Sequence, residues 1–504
     1  MKVSDLFLFK NEEIKMLHLT MIAFFISFFT WFNMAPLAST MIDSTGWLTK
    51  QHLAALAILN VALTIPARII IGMLLDKYGP RKVFSSLLVI MSIPTLIFAF
   101  GDTFAQLAIS RLILSSIGAS FVIGIRLVSE WFPPKSIGFA EAFYAGWGNF
   151  GSAAAAMVLP WLGLSLFGGE AGWRYAIAFS GIVCLVYGVV YYSLVKDTPP
   201  GKVYQRPRKI AAMEVSSWGD MFQLILWTIP LVGALAVTCW RLHGLGFISE
   251  TALYSAYALL FFLLSYQIIQ ILKVNIPILK KGVPEDDRYK FKNVGALNST
   301  YFANFGAELA IVSMLPIFFQ TVFSLSPTTA GLIAASFALI NLVARPMGGL
   351  LSDRLGSRKK VMLVYMLGIS LGLVAMGFID SSWPIYIAVL VTVLTSFFVQ
   401  GAEGATFAIV PMIKKRITGQ IAGMSGAYGN VGAVIYLTIY TMVTPQQFFF
   451  ILAGGAFLSF LICFLLLEEP KNGFSEEYHL SSVDMEQMRL EKTNEIQVKK
   501  KQLA

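Results

Sequence analysis

Two arginines, Arg68 and Arg345, lie inside apolar segments that share one wording: PARIIIGMLLDKYGPRK at 66–82 and VARPMGGLLSDRLGSRK at 343–359. Arg, Gly, Asp, Gly, Arg and Lys coincide position for position, at an offset of 277 residues. A charge at the centre of a bilayer costs about 2.5 to 3.5 kcal/mol on insertion scales, so both side chains are expected to face an internal cavity and not lipid. Two matched cations in one cavity point to an anion path. A guanidinium is a planar fork of donors, which suits a flat, weakly hydrated oxyanion better than an ammonium does. Aromatic faces above and below would confine such an ion and exclude water, strengthening both charge contacts. Glu308 and Glu403 are carboxylates within the same kind of segment. A buried carboxyl exchanges a proton near neutral pH unless an arginine holds it ionised, so this pair is expected to couple a proton. The competing role, for arginines and carboxylates alike, is structural ion pairing: Arg68 or Arg345 with an acidic residue, or Glu308 with Arg111 or Arg126.

The elements that position these groups are long helices. The chain has 504 residues, 57% of them hydrophobic and only 13% charged. Its apolar residues fall into about fourteen blocks of the length, about 20 residues, that crosses a hydrocarbon core. Lys and Arg collect in alternate connections: Lys2, Lys10 and Lys15; Lys77, Arg81 and Lys82; Lys202 and Arg206; Lys280, Lys281 and Arg288; Arg354, Arg358 and Lys359; Lys414, Lys415 and Arg416. This bias places both termini in the cytoplasm, and it accounts for the net charge of +10 without any nucleic-acid partner. Cys184, Cys239 and Cys463 stand alone in apolar blocks, with no CxxC spacing and no clustered His, so no metal site and no cofactor is expected. The first block follows a charged start, is too long for a signal peptide and shows no small-residue cleavage site, so it is expected to be retained.

The duplication extends further. AFYAGWGNFGSA at 142–153 and GMSGAYGNVGAV at 423–434 both carry Gly-Asn-x-Gly, at an offset of 281, in the same order after the arginine segments. Such order indicates two related bundles, and parallel repeats place a shared site between the halves near the midplane. The expected division is a cytoplasmic N-terminus at 1–15, a six-helix bundle at 16–195, linkers with two inserted transmembrane helices at 196–292, a second six-helix bundle at 293–468 and a solvated polar tail at 469–504. Pro66 and Pro346 sit beside the two arginines and are expected to kink the helices there.

At this point the motifs resemble a known group. Gly72-x3-Asp76-x2-Gly79-x-Arg81-Lys82 and its copy at 349–359 resemble the loop signature of the major facilitator superfamily. AGWGNFG and SGAYGNVG resemble the paired signatures of its nitrate/nitrite porter family, and FGAEL at 305–309 with AEGATFAIVP at 402–411 is similar to the cyanobacterial and plant-type branch. The resemblance implies an all-α membrane fold of two pseudo-symmetric six-helix bundles plus the inserted pair. It implies a substrate held between Arg68 and Arg345, with Tyr301, Phe121 and Phe407 around it and Gly148, Asn149, Gly429 and Asn430 contributed by the glycine-rich helices. Read as packing, the two phenylalanines are core residues and the glycines let helices approach closely, with each asparagine joining helices or lining the cavity. Asp76, Arg81, Asp353 and Arg358 would form a latch between the halves, or serve only as topology signals.

The expected function is uptake of nitrate, and nitrite with it, by alternating access in a plasma or bacterial inner membrane, without covalent chemistry. The resemblance implies proton symport over exchange, because family members without an acidic residue on this helix tend toward nitrate/nitrite exchange and this chain has Glu308 there. An anion entering a negative interior works against about 2.3 kcal/mol per 100 mV, so one proton only cancels its charge. The partners are nitrate, nitrite, protons and the lipid bilayer, with the chain acting as a monomer. The alternatives are a nitrate/nitrite antiporter or a carrier of another small anion such as formate or oxalate, a fourteen-span drug exporter, and a nitrate sensor that does not transport.

Overall fold

The computed structural model describes residues 3–490 and 493, apart from 208, 210, 326 and 441. All regular structure among them is helical. Twelve helices form two sixfold sets: α1 (Glu12–Trp31), α2 (Lys50–Tyr78), α3 (Pro80–Phe100), α4 (Phe104–Trp131), α5 (Pro134–Trp161) and α6 (Gly172–Leu194), and, after an inserted hairpin α7 (Trp218–Gly244) and α8 (Glu250–Lys281), α9 (Phe291–Phe323), α10 (Pro327–Leu339 with Asn341–Arg354), α11 (Arg358–Gly377), α12 (Ile385–Ile413), α13 (Thr418–Tyr440) and α14 (Pro445–Leu466). Thirteen stretches among the described residues are long and apolar enough to cross a membrane. The expected fourteenth is α13, which falls outside that set because Gly, Ser, Asn and Gln dilute its apolar residues, and which is buried between other helices over most of its length.

That dilution is functional packing. Where no hydrophobic force drives helices together, small residues let backbones approach and gain dispersion contacts. A Cβ on Gly151 would collide with the Phe25 carbonyl of α1, and one on Gly432 with the Phe302 carbonyl of α9, so the two glycine-rich helices seat equivalent partners in the two halves. Between the halves, Gly72 and Gly423 bring α2 against α13, with the Gly419 and Arg68 carbonyls filling the spaces a side chain would need. Gly349 does the same for α10 against the Gly138 carbonyl of α5. Both crossings lie at or near the ends of the helices that carry the basic loops, so the bundle is closed at that end.

Both arginine helices are broken just before their arginine. α2 consists of Lys50–Ala62 and Thr64–Tyr78, interrupted at Leu63, and α10 of Pro327–Leu339 and Asn341–Arg354, interrupted at Ile340. Pro66 falls in the first turn after the first break, where its missing N–H costs nothing. Pro346 lies beyond the second break, inside Asn341–Arg354, so the expected kink at that proline is displaced to Ile340. Polar side chains of the neighbouring helix take up the freed backbone groups. The Leu63 N–H donates to Ser115 Oγ at 3.0 Å and Thr64 Oγ1 to the Ser115 carbonyl at 2.7 Å. In the other half, Ser396 and Gln400 donate to the Phe337 carbonyl at 2.5 and 2.8 Å.

The inserted hairpin is peripheral. α7 packs on α9, α13 and α2, with Tyr428 donating to the Trp227 carbonyl, whereas the most apolar stretch of α8 is only 6% buried. The tail departs from the expected solvated segment as far as it is described. Glu469 accepts from the Arg358 and Lys359 N–H groups at 2.8 and 3.0 Å, capping α11, and Ser481 and Asp484 are buried beside Arg416. Lys414 and Arg416 hold the Asp484 carboxyl below its ordinary value although burial opposes them. Of the expected tail, residues after 490 other than 493 lie outside the described part.

If the glycine crossings set the packing of the halves, Gly349→Ala will lower the thermal unfolding midpoint of the purified protein by several degrees. Gly454→Ala, whose Cβ would meet nothing within 4 Å, will leave it unchanged.

Candidate functional site

The aromatic ring of Phe121 joins the two arginines. The Arg68 guanidinium carbon lies 5.5 Å from the centroid of that ring and the Arg345 carbon 5.4 Å from it, so the two cations are no farther apart than the sum of those distances. Phe121 is held in turn by Phe407, edge to face at 4.5 Å, and by Tyr301, parallel at 6.2 Å. Tyr301 also meets Phe407 edge to face at 4.8 Å. Arg68, Arg345, Phe121, Phe407 and Tyr301 are each no more than 2% exposed, so this cluster lies at the centre of the protein between the halves.

Local structure explains each placement. In α4 the helix tightens to a 3-10 turn over Ser115–Ala119, which leaves the Gly118 carbonyl free to accept from Arg68 Nε at 3.2 Å. Phe121 follows one turn later. Arg68 Nη1 donates across the interface to the Gly426 carbonyl of α13, so this arginine, though bound, has only neutral acceptors. Asn430 donates to the same carbonyl at 3.4 Å, and among the described residues its buried Oδ1 has no hydrogen-bond partner. Arg345 differs. It donates from Nη2 to the Tyr301 hydroxyl at 3.1 Å and pairs through Nη1 with Glu403 at 2.6 Å, while its buried Nε has no acceptor among the described residues.

The remaining expected site residues separate into two groups. Gly429 is at the wall: a Cβ there would strike Tyr301 and Phe305. Gly148 is further back, against the ring of Phe24, which stacks on Tyr144 and tilts against Phe121. Asn149 is half-buried on α5, and the hydrogen bonds of Arg68 and Arg345 among the described residues go elsewhere. Glu308 accepts from Asn341 at 3.2 Å and from Gln400 at 3.5 Å, and its carboxyl meets that of Glu403. The suggested pairing of Glu308 with Arg111 or Arg126 does not form: Arg111 donates to Asn33, and Arg126 pairs with Asp76 and Glu130. One residue of the box, Phe305, escaped the sequence reading. Its ring stacks on Tyr301 at 5.0 Å and faces Arg68 at 5.5 Å, and the signal was its position one helical turn from Tyr301.

At the basic end a reciprocal arrangement ties the halves. Asp76, in the first half, accepts from the Gly419 and Gln420 N–H groups at the start of α13, both at 2.9 Å. Asp353, in the second half, accepts from Gly138 and Phe139 near the start of α5 at 3.1 and 2.8 Å. Each carboxylate therefore meets the positive end of a helix dipole across the interface. Arg126 lies 3.3 Å from Asp76, and Arg358 pairs with Asp353 at 2.8 Å while donating to the Pro134 carbonyl of the other half. Arg81, expected in this latch, turns instead to the Tyr192 carbonyl and ring within its own half. Arg126, weighed from the sequence only as a partner for Glu308, takes that position.

Chemically the centre holds two fixed cations, one paired with a carboxylate, walled by aromatic faces. It can bind and orient a small anion. Among the described residues no cluster of His, Cys, Asp and Glu could hold a metal.

Comparison with known proteins gives a consistent family. Residues 20–279 and 297–496 match the Major Facilitator Superfamily. The chain is 45% identical to the nitrate/nitrite transporter NrtP of Picosynechococcus sp., with 94% of this chain and 96% of that protein covered. It is 44% identical to NrtP of Nostoc punctiforme, at 93% and 95% coverage, and 28% identical to the high-affinity nitrate transporter 2.3 of Oryza sativa, at 86% and 73%. Among solved structures, the proton:xylose symporter XylE aligns over 91% of this chain and 96% of its own with a TM-score of 0.60 at 15% identity, a likeness of fold alone.

The latch yields a test of its own. Removing one partner of a buried ion pair costs about 3–5 kcal/mol, so Asp353→Asn will loosen the basic end. A Ser136→Cys probe at the buried start of α5 will then react with a thiol reagent at least about tenfold faster than in the parent, in a background lacking Cys239.

Proposed function

This chain belongs to the major facilitator superfamily, in its nitrate/nitrite porter branch, and on that premise we propose that it takes up nitrate, and nitrite with it, by proton-coupled alternating access. The observation that carries the reading is the sharing of one aromatic ring by Arg68 and Arg345. A planar anion entering between Phe121, Phe305 and Tyr301 meets a guanidinium contributed by each half. Binding therefore draws the halves together around the substrate, because neither arginine alone satisfies all its oxygens. The dry aromatic wall strengthens both contacts, and the same wall disfavours larger, more strongly hydrated anions such as phosphate.

The second half of the cycle requires the basic end to open. In the orientation set by the positive-inside rule that end is cytoplasmic, and the contacts of Asp76 with α13 and of Asp353 with α5 are what must part. The breaks at Leu63 and Ile340 lie beside the arginines, so a tilt of either inner helix segment is felt at the site. Glu308 and Glu403 supply the acid groups for coupling, both in the second half. At the positions that the repeat makes equivalent, Trp31 and Ile117, the first half is apolar. Uptake as a symporter also accords with the membrane potential, since an anion without a proton would be repelled.

A hydrogen bond to a charged group contributes about 1.5–3 kcal/mol, so replacing the planar fork by an ammonium is expected to be severe although the charge is kept. In proteoliposomes with an inward proton gradient, Arg68→Lys and Arg345→Lys will each reduce nitrate accumulation at least about tenfold. Full uptake by both variants would remove the arginine clamp, and uptake of formate or oxalate in preference to nitrate would change the substrate assignment. In the same vesicles Glu308→Gln will weaken proton-driven accumulation but retain nitrate-for-nitrite exchange, whereas proton-driven accumulation at the parent level would contradict its coupling role.

A further inference from the structure

The two arginines are equivalent in sequence and unequal in company. Arg68 rests on two backbone carbonyls and two aromatic faces, all neutral. Arg345 rests on a carboxylate, Glu403, 2.6 Å away and wholly buried. Counting back four residues from Phe407 gives Glu403, and the same count from Phe121 gives Ile117, so nothing in the repeat demanded an acid there. Among the described residues neither Glu403 oxygen has a hydrogen-bond partner; its charged neighbours include the Arg345 guanidinium and the Glu308 carboxyl. A purely structural carboxylate so deep in the protein would be expected to have its remaining lone pairs satisfied. This one is held by charge alone, to the guanidinium that the substrate needs.

Resting on the anion-site reading above, we propose that Glu403 is an internal stand-in for the transported anion. In the empty site it neutralises Arg345. When nitrate arrives it takes the place of the carboxylate on the guanidinium, and Glu403, displaced toward Glu308, accepts a proton from the aqueous side then open to the site. One O–H bond forms and none breaks within the protein. One negative charge replaces another on Arg345, the proton neutralises the displaced carboxylate, and the site keeps the same net charge whether empty or loaded.

The physical reason for the linkage is that one guanidinium in a low-dielectric site cannot satisfy two anions. An ionised Glu403 left beside bound nitrate would set like charges together in a medium that screens them poorly. The charged and titratable groups around Glu403 support this. Glu308 and Tyr301 face it from α9, Arg345 from α10 and Arg68 from α2, while Tyr365 of α11 packs beside Gly401. On α5, Tyr144 hydrogen-bonds the Ser120 and Phe121 carbonyls and Glu141 faces Arg358 and Asp353 at the basic end; on α13, Tyr428 turns to Trp227. Among the described residues Glu308 is the carboxyl beside Glu403 that can share the incoming proton. Its contacts with Asn341, directly after the α10 break, and with Gln400 tie that exchange to the segment that must move.

The test uses the full-length purified protein and nitrate as the probe. Calorimetric titration in buffers of different ionisation enthalpy counts protons taken up per nitrate bound. The expected result for the parent is close to one proton in the alkaline range, with a Kd that weakens by up to about tenfold per pH unit as pH rises. Glu403→Gln should bind nitrate with a Kd that no longer depends on pH and with no net proton uptake, because the competitor for Arg345 is gone. Proton-free binding by the parent would overturn the proposal, and this count stands even if the variant does not fold. Parental pH dependence in Glu403→Gln would also overturn it, as would loss of nitrate binding at every pH, which would make Glu403 a positioning residue for Arg345. Failure of the parent to bind nitrate under any condition would instead defeat the anion-site reading itself.

Discussion

Everything in this protein turns on keeping two guanidinium groups charged and close together where there is little water. Like charges in a poor dielectric repel, and each is costly to bury alone. The structure meets the difficulty unequally. Arg68 is spread over the carbonyls of Gly118 and Gly426 and the faces of Phe121 and Phe305, whereas Arg345 receives a full counter-charge from Glu403. The central site therefore holds one arginine hydrogen-bonded to neutral carbonyls and one paired with a carboxylate. An anion that satisfies both resolves the imbalance.

Backbone geometry is subordinated to that task. The 3-10 turn in α4 exposes a carbonyl for Arg68, and the breaks at Leu63 and Ile340 fall at equivalent points of the two halves, each buttressed by side chains of a neighbouring helix. Glycines at the crossings bring backbone to backbone, so that an arginine on α2 reaches a carbonyl on α13. At the basic end the same crossings let Asp76 and Asp353 reach helix N-termini across the interface. Each of these contacts uses a charge against a backbone dipole, an interaction that a small relative displacement of the halves can break.

Much of this was legible in the sequence because the chain states it twice. A repeated Arg-Gly-Asp-Gly-Arg-Lys frame and a repeated Gly-Asn-x-Gly helix are visible without coordinates, and so are the bundles, the inserted pair and the two matched arginines. What escaped was whatever depends on contact between segments distant in sequence. Arg126 has no copy, and its place in the latch shows only once Asp76 is seen beside it, while Arg81, which has a copy, turns away to Tyr192. Phe305 is one phenylalanine among 40. The polar tail carries no apolar stripe, yet Glu469 and Asp484 dock it by capping a helix and pairing with Arg416, interactions that hydropathy does not register.

The central claim is a position in space: one anion, two arginines, one ring. Determining the structure of the protein with nitrate bound tests it most directly. Density for a planar anion within hydrogen-bonding distance of both Arg68 and Arg345, beside Phe121, is the result this account requires. An anion held elsewhere, or bound to one arginine while the other keeps its present partners, would contradict it.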